Sequence, residues 1–441
     1  MRVFELARNA HAELVLCALF IALYAFTASA PFLLLIVGLG VIAAMILPFA
    51  RSLQLVFFLL PCADIFSQSP YISISLLTFI LLAIFGRYLL THVMATQFYQ
   101  PGLIVMLLVL LYELMHVFYN PVMLASTTIR WAILFLFTSL LLFDRTQYVA
   151  FSQLRLVLLW GVIMSAFYGL ISAYFAPLAS EPVKAITRFS GAAGDPNNFG
   201  LLCLLVLYFY LPVIPRAKIT KSVRVIMLLM LSFGALTVSR SFFIVATCSL
   251  VAYFLLYYRS ALGDMLVRML LALNGLLILF CFYWLSGFSS LGELDILTRF
   301  NADNLAQLTG SRSVILQEYS ALFLQLSAAF MLFGAGINGY LGYYNHHFLQ
   351  AGVFSDAVGP HNTFLEILIS FGLLGSWLLF SYIYFAFRAQ RSRVASAPIF
   401  RLAWLPILVF ILYCFSLQNL AKYTSYFVLM LIVYNTYRKD D

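Results

Sequence analysis

The residues with the most chemical potential lie in GPHNTFLEILISFGLLG, residues 359 to 375, where a histidine and an asparagine stand as a long extramembrane loop returns to an apolar helix. Glu366 follows one turn below His361, and Gly372 and Gly375 interrupt the apolar run beyond it. An imidazole at the mouth of a cavity can accept or share a proton near neutral pH, and Asn362 beside it can orient a sugar hydroxyl. The plainer reading of His361 is a helix-start residue at the membrane interface. Upstream stand Arg240 in TVSRSFF and Arg312 in LTGSRSVILQEY. Arg240 falls between two apolar segments joined by almost nothing, so it sits at a helix hairpin where an unpaired buried charge is costly. That position suits either an ion pair with a loop carboxylate or a site for an anionic ligand. Arg312 opens a candidate helix behind Gly310 and Ser311, where free N–H groups add positive potential. Taken singly, Arg312 or Arg299 also fits an arginine snorkelling to the interface. Two planar guanidinium forks suit the oxygens of a diphosphate better than lysines would, and the ligand they point to is a phosphorylated lipid or its headgroup.

The elements that must position these groups are membrane helices. A chain of 441 residues with 64% hydrophobic and 9% charged residues and 43 Phe is no water-soluble globule, since ordinary domains are about 25% charged. Transmembrane barrel strands would alternate polar and apolar residues, and this chain runs continuously apolar instead. Hydropathy predicts an all-α, polytopic bundle with helices near 12–29, 31–49, 52–67, 73–93, 102–118, 122–143, 153–177, 199–214, 225–239, 241–258, 268–287, 363–388, 400–417 and 424–437, about 14 spans. Pro48, Arg51 and Pro61 interrupt the second and third, which could be broken or re-entrant helices; without them about 12 spans remain. With the N-terminus inside, the clusters around Arg51, Arg145, Arg216 to Arg224, Arg259, Arg268, Arg388 to Arg393 and Arg438 all fall on the cytoplasmic side, as short loops require. Both termini are then cytoplasmic. The formal net charge of +9 is topological, an anchor at an anionic leaflet, and nucleic acid is not an expected partner. No cleavable signal peptide is expected ahead of the first apolar run.

Residues 1–441 read as a single integral membrane domain with two long external loops, 178–198 and 288–362, and long loops in compact proteins tend to be functional. The second loop carries a candidate amphipathic or partly inserted helix over 313–333, then GAGINGYLGYYNHH, which reads as turns. Arg188 in the first loop and Arg299 in the second add cations, while Asp195, Asn197 and Asn198 in SGAAGDPNNFG could bind sugar hydroxyls or simply cap a helix. His346 and His347 lack a spaced carboxylate and make a weak metal signal; no metal or cofactor is expected. The six cysteines lie in apolar segments without paired spacing, which speaks against disulfides and metal clusters.

No Walker-type loop, nucleophile elbow or Asp-x-Asp pair is present in the sequence. Metal-independent group transfer is left, in which cations stabilise a departing lipid-linked diphosphate and a base deprotonates an attacking hydroxyl. At this point the chain resembles the O-antigen ligase and polymerase superfamily, membrane glycosyltransferases of GT-C-like helical fold. The resemblance rests on TVSRSFF, on GSRSVILQEY followed by FGAGINGY, on GPHNTFLEILISFGLLG, and on their order over residues 230 to 380. It implies that Arg240 and Arg312 bind the diphosphate of an undecaprenyl-linked glycan, that His361 assists the acceptor hydroxyl, and that transfer inverts the anomeric centre without a metal. Glu366 departs from the simple family picture: it either tunes His361 upwards or serves as the base.

Two activities are open within the superfamily. A Wzy-type polymerase joins lipid-linked repeat units into O-antigen or a related surface polysaccharide at the periplasmic face of the bacterial inner membrane; a ligase passes the finished glycan to lipid A core. SGAAGDPNNFG is similar to a segment common in polymerases, and the span count exceeds what is usual for ligases, so polymerase is the expectation. Undecaprenyl-diphosphate-linked donor and acceptor, membrane lipids, a chain-length regulator and a flippase are the partners this implies. A transporter of lipid-linked sugars remains as another class. It would show charges deep within several spans, and only Arg87, Glu113, Arg130 and Arg155 approach that description.

Overall fold

The computed structural model of the protein describes residues 12–27, 30–67, 75–93, 96–119, 125–146, 148–175, 189–214, 217–258, 312–337, 359–393, 401–417 and 423–437. In chain order the α-helices are α1 Ala12–Thr27, α2 Ala30–Ile46, α3 Phe49–Leu59, α4 Leu77–Thr91, α5 Gln100–Tyr119, α6 Ala125–Phe143, α7 Phe151–Phe175, α8 Pro196–Tyr210, α9 Lys221–Leu236, α10 Arg240–Tyr258, α11 Arg312–Gln325, α12 Ala328–Phe333, α13 Thr363–Arg393, α14 Leu405–Cys414 and α15 Tyr423–Thr436. Among the described residues there is no strand; Phe98 and Asp144 form an isolated antiparallel bridge. Helices are the expected outcome where lipid cannot satisfy backbone N–H and C=O groups. Segments within α5, α7, α10 and α13 are long and apolar enough to cross a membrane, and eight shorter apolar helices accompany them. Against about 14 expected spans, four helices among the described residues have the length and composition of a span. The expected helix over 268–287 lies outside them, as do Arg188, Arg299, His346, His347 and most of both long loops.

Helix α5 illustrates how a membrane helix is built inside out. Ile104, Leu107, Leu108, Leu111 and Met115 are exposed on one face, while Met106, Val109, Glu113 and His116 are buried on the other. The 3.6-residue period is intact, but the outward stripe is apolar, as contact with acyl chains requires, and the polar groups face protein.

The helices form two compact units. The first comprises Met1–Ala95, Gln147–Leu294 and Phe400–Val409, and the second Thr96–Thr146, Asp295–Ile399 and Phe410–Asp441. In the first unit α3 is buried from Ser52 through Leu59 and ends in the 3-10 turn Leu60–Cys62 at Pro61, which is the interruption expected there. It packs against α7 through small residues: a Cβ on Gly161 would stand 2.3 Å from the Phe58 carbonyl oxygen. Arg87 donates to the carbonyls of Ala44 and Leu47 at the end of α2. Arg155 donates to Phe209 O at 3.2 Å and lies over the Tyr210 ring at the end of α8. Each guanidinium meets the negative end of a neighbouring helix, so these two charges have structural partners.

In the second unit α5, α6, α12 and α15 pack with α13. The candidate helix over 313–333 is two helices: α11 ends at Gln325, and Ser327 caps α12 by accepting from Phe330 N. A serine side chain competes for backbone N–H groups and favours a cap over a helix interior. Ile315, Tyr319 and Leu322 form the buried stripe of α11. Helix α13 is broken at Gly372, whose φ of 62° and ψ of −171° are not helical. The carbonyls of Ile369 and Ser370, freed by that break, accept the amides of Ala335 and Gly336 at 2.8 Å each.

Candidate functional site

Arg240 is the first residue of α10, and the three residues before it are tightly specified. Thr237 Oγ1 donates to Gly234 O at 2.6 Å. Val238 has a φ of 48° although it is β-branched and buried, a conformation that carries strain. Ser239 Oγ accepts from Phe242 N at 3.2 Å, a helix cap, and donates to the Asn197 side-chain carbonyl at 2.6 Å. Arg240 itself is half-buried and engaged with neighbouring groups. Asn197, 6% exposed, thus braces the start of the arginine's helix from inside the first unit.

The residues before Asn197 form the capping geometry expected of Asp-Pro-Asn-Asn. Asp195 has extended backbone, its side chain accepts from Asn197 N at 2.7 Å, and Pro196 occupies the first helical turn. Asn198 is half-buried on that turn. The segment 190–194 lies against α7, where Ser165 Oγ donates to Pro61 O and accepts from Ala192 N, both at 2.8 Å. A Cβ on Gly194 would stand 2.3 Å from the carboxyl carbon of Asp64, and Asp64 N donates to Ala192 O at 3.3 Å. Asp64 was not singled out from the sequence. A lone aspartate in LLPCADIFS, next to a proline that stops an apolar helix, was the available signal.

His361, Asn362 and Glu366 belong to the second unit, together with the start of α11 at Arg312. His361 has a φ of 46°. It and Val238 are the non-glycine residues with positive φ among those described. Asn362, 8% exposed, is the cap of α13: its side-chain oxygen accepts from Leu365 N at 3.1 Å and its carbonyl from Glu366 N at 2.9 Å. Thr363 Oγ1 donates to Leu417 O at 2.7 Å, and the Phe364 and Phe415 rings pack at 4.9 Å. Capping therefore falls to Asn362, and the left-handed residue before it turns the incoming chain at His361. Glu366 is 1% exposed, on the first turns of the same helix, with partners of its own. The Arg312 side chain lies outside the described residues, although its place at the head of a helix is the expected one.

A second group in this unit went unassigned by sequence. Tyr112, Glu113 and His116 on α5 gather the α12–α13 crossing. Tyr112 OH lies 2.6 Å from Phe333 O and 2.7 Å from Phe371 O. Glu113 Oε1 accepts the Ile337 amide at 2.8 Å, and His116 Nε2 lies 2.8 Å from Phe333 O. An acid and a histidine three apart in an otherwise apolar helix are the signal the sequence offers for them.

A search of curated proteins finds no match to the chain. The family model described as O-antigen ligase matches residues 225–380, roughly a third of the chain, and spans most of α9, all of α10, α11 and α12, and the first half of α13. That stretch holds Arg240, Arg312, His361, Asn362 and Glu366, and it supports a function of the ligase and polymerase type in an integral membrane protein. Over residues 225–380 the chain is thus similar to the O-antigen ligase family, which supports a place in the O-antigen ligase and polymerase superfamily.

Proposed function

We propose that the protein is a surface-polysaccharide polymerase that joins undecaprenyl-diphosphate-linked repeat units at the periplasmic face of the inner membrane. Arg240 and Arg312 receive the donor diphosphate. His361 takes the proton of the acceptor hydroxyl as its oxygen bonds to the anomeric carbon. The bond from that carbon to the diphosphate oxygen breaks, and undecaprenyl diphosphate leaves with its new negative charge met by guanidinium. Attack opposite the leaving group inverts the centre. Glu366, on the turn below, sets the proton affinity of His361 or takes the proton in its place. Arg188, Asp195, Asn198, Arg299 and Asn362 are assigned to the sugars and the phosphates, with Asn197 acting through Ser239.

The observation that carries this reading is where the backbone strain falls. Val238 and His361, the non-glycine residues at positive φ among those described, sit within the two motifs that hold Arg240 and the histidine. Strain of about 1 to 3 kcal/mol at each is tolerated where surrounding structure and function demand it. Support for polymerase over ligase comes from the polymerase-like segment SGAAGDPNNFG, whose Asn197 is bonded to the residue before Arg240. The ligase reading has its own support in the description of the matching family. Lipopolysaccharide from a deletion strain separates them on one gel: core bearing a single repeat unit is the expected result, and bare core with accumulating lipid-linked polymer would assign a ligase. Alanine at Arg240, Arg312 or His361 should abolish long chains while the protein stays inserted. Normal chain length in all three refutes the site.

A further inference from the structure

Glu113 and His116 are 0% and 1% exposed in a helix that is otherwise apolar. Ionisable groups so placed in a membrane protein face the bundle interior and pair with one another or with backbone groups. Here both ring nitrogens of His116 lie at hydrogen-bond distance from carbonyl oxygens, Nδ1 at 3.0 Å from Tyr112 O and Nε2 at 2.8 Å from Phe333 O. A carbonyl oxygen only accepts. Neutral imidazole has one N–H and can satisfy one such contact; imidazolium has two and satisfies both. Glu113 supplies the compensating charge: its Oε2 lies 3.6 Å from Nδ1, while Oε1 accepts the Ile337 amide.

From this geometry we infer that Glu113 and His116 form a buried carboxylate–imidazolium pair that clamps the Gly334–Ile337 segment onto the break in α13 and so fixes the direction in which His361 is presented. The inference rests on the proposed function for its catalytic consequence and deepens it by naming two positioning residues. The pair grips Phe333 O on one side and Ile337 N on the other, and between these lie the two amides, Ala335 and Gly336, that hold Ile369 O and Ser370 O. Gly334 and Gly372 make the approach possible: a Cβ on Gly334 would stand 2.3 Å from Ser370 O, and one on Gly372 2.4 Å from Gly334 N. Residues 363–371, the stretch of α13 between the break and His361, are therefore held at their far end by α5. The Tyr112 hydroxyl on α5 meets the same segment, at 2.6 Å from Phe333 O and 2.7 Å from Phe371 O.

The test uses the full-length protein in nanodiscs, assayed on lipid-linked repeat units and by hydrogen exchange. Glu113→Gln and His116→Gln each strand one buried charge. Each should lower turnover about 100-fold, the scale of a misplaced catalytic group, with KM for the donor and the shape of the pH profile unchanged. In both variants the amides of Ala335, Gly336 and Ile337 should exchange faster. The double variant, which removes both charges, should be no worse than the weaker single, because the residues act as one unit. Wild-type turnover in the single variants, losses that multiply in the double, or unchanged exchange overturns the inference. His361→Ala distinguishes this from failure of the site itself: it should abolish turnover and leave the exchange of residues 335–337 slow. Activity in that variant removes the assigned histidine, and exchange then judges the clamp alone.

Discussion

Gly372→Ala is the sharpest perturbation of the α12–α13 crossing. At φ 62° and ψ −171° the backbone lies in a region that is essentially glycine-only, and forcing an alanine into it costs about 1 to 3 kcal/mol. The added Cβ would also stand 2.4 Å from Gly334 N, 2.5 Å from Leu332 O and 2.6 Å from Leu332 C. These are backbone atoms that no rotamer change can move, so overlap adds about 1 to 3 kcal/mol more. The chain has two responses, to remain broken and lose about 4 kcal/mol, or to straighten and release the amides of Ala335 and Gly336. Straightening has a geometric consequence. Residues 363–371 span about 13 Å at the helical rise, so a turn of about 20° at the break, the threshold of a sharp kink, carries His361 about 4 Å, far beyond what a near-attack geometry tolerates. The assay pairs thermal unfolding of the purified protein with the polysaccharide ladder in cells. Gly38→Ala is the control, since a Cβ there meets nothing within 4 Å and helix propensity favours alanine by about 1 kcal/mol. Wild-type stability and normal chain length in Gly372→Ala would refute the reasoning.

Two more variants probe the first unit. Asp195→Ala should lower stability by about 1 kcal/mol through loss of the α8 cap, while Asp195→Ser restores it to within a few tenths yet shortens the polysaccharide; full-length chains in the serine variant would leave capping as the residue's whole role. Asn197→Ala deprives the Ser239 hydroxyl of its acceptor and should cost about 1 to 3 kcal/mol. Combining it with Ser239→Ala should cost no more than the worse single change, measured by thermal unfolding, since both remove one interaction.

Helix type and placement were legible because apolar runs in a membrane permit little else, and the capping chemistry of Asp195 could be read from residue type and position, whereas the helix-start role read for His361 falls to Asn362. The break at Gly372 was not. Hydropathy is blind to φ and ψ, and one glycine in an apolar helix is ordinary; the approach of Gly334, just past the end of α12, explains it. The split of 313–333 was hidden in the same way, because its apolar residues continue across Ser327. The site divided along a similar line. Arg240 and His361 stood out as charged or titratable groups at segment ends, whereas Val238, as apolar as its neighbours, shows its strain only in the backbone. Asp64 and the Glu113–His116 pair were visible as letters, but their significance comes from segments brought against them by folding.

The central claim is tested most directly with purified protein, synthetic undecaprenyl-diphosphate-linked repeat unit and a chelator. The account predicts polymer with inverted linkages in the presence of the chelator, and none from His361→Ala or Arg240→Ala. Polymer from both variants at the wild-type rate, or transfer that proceeds only to lipid A core, would contradict it.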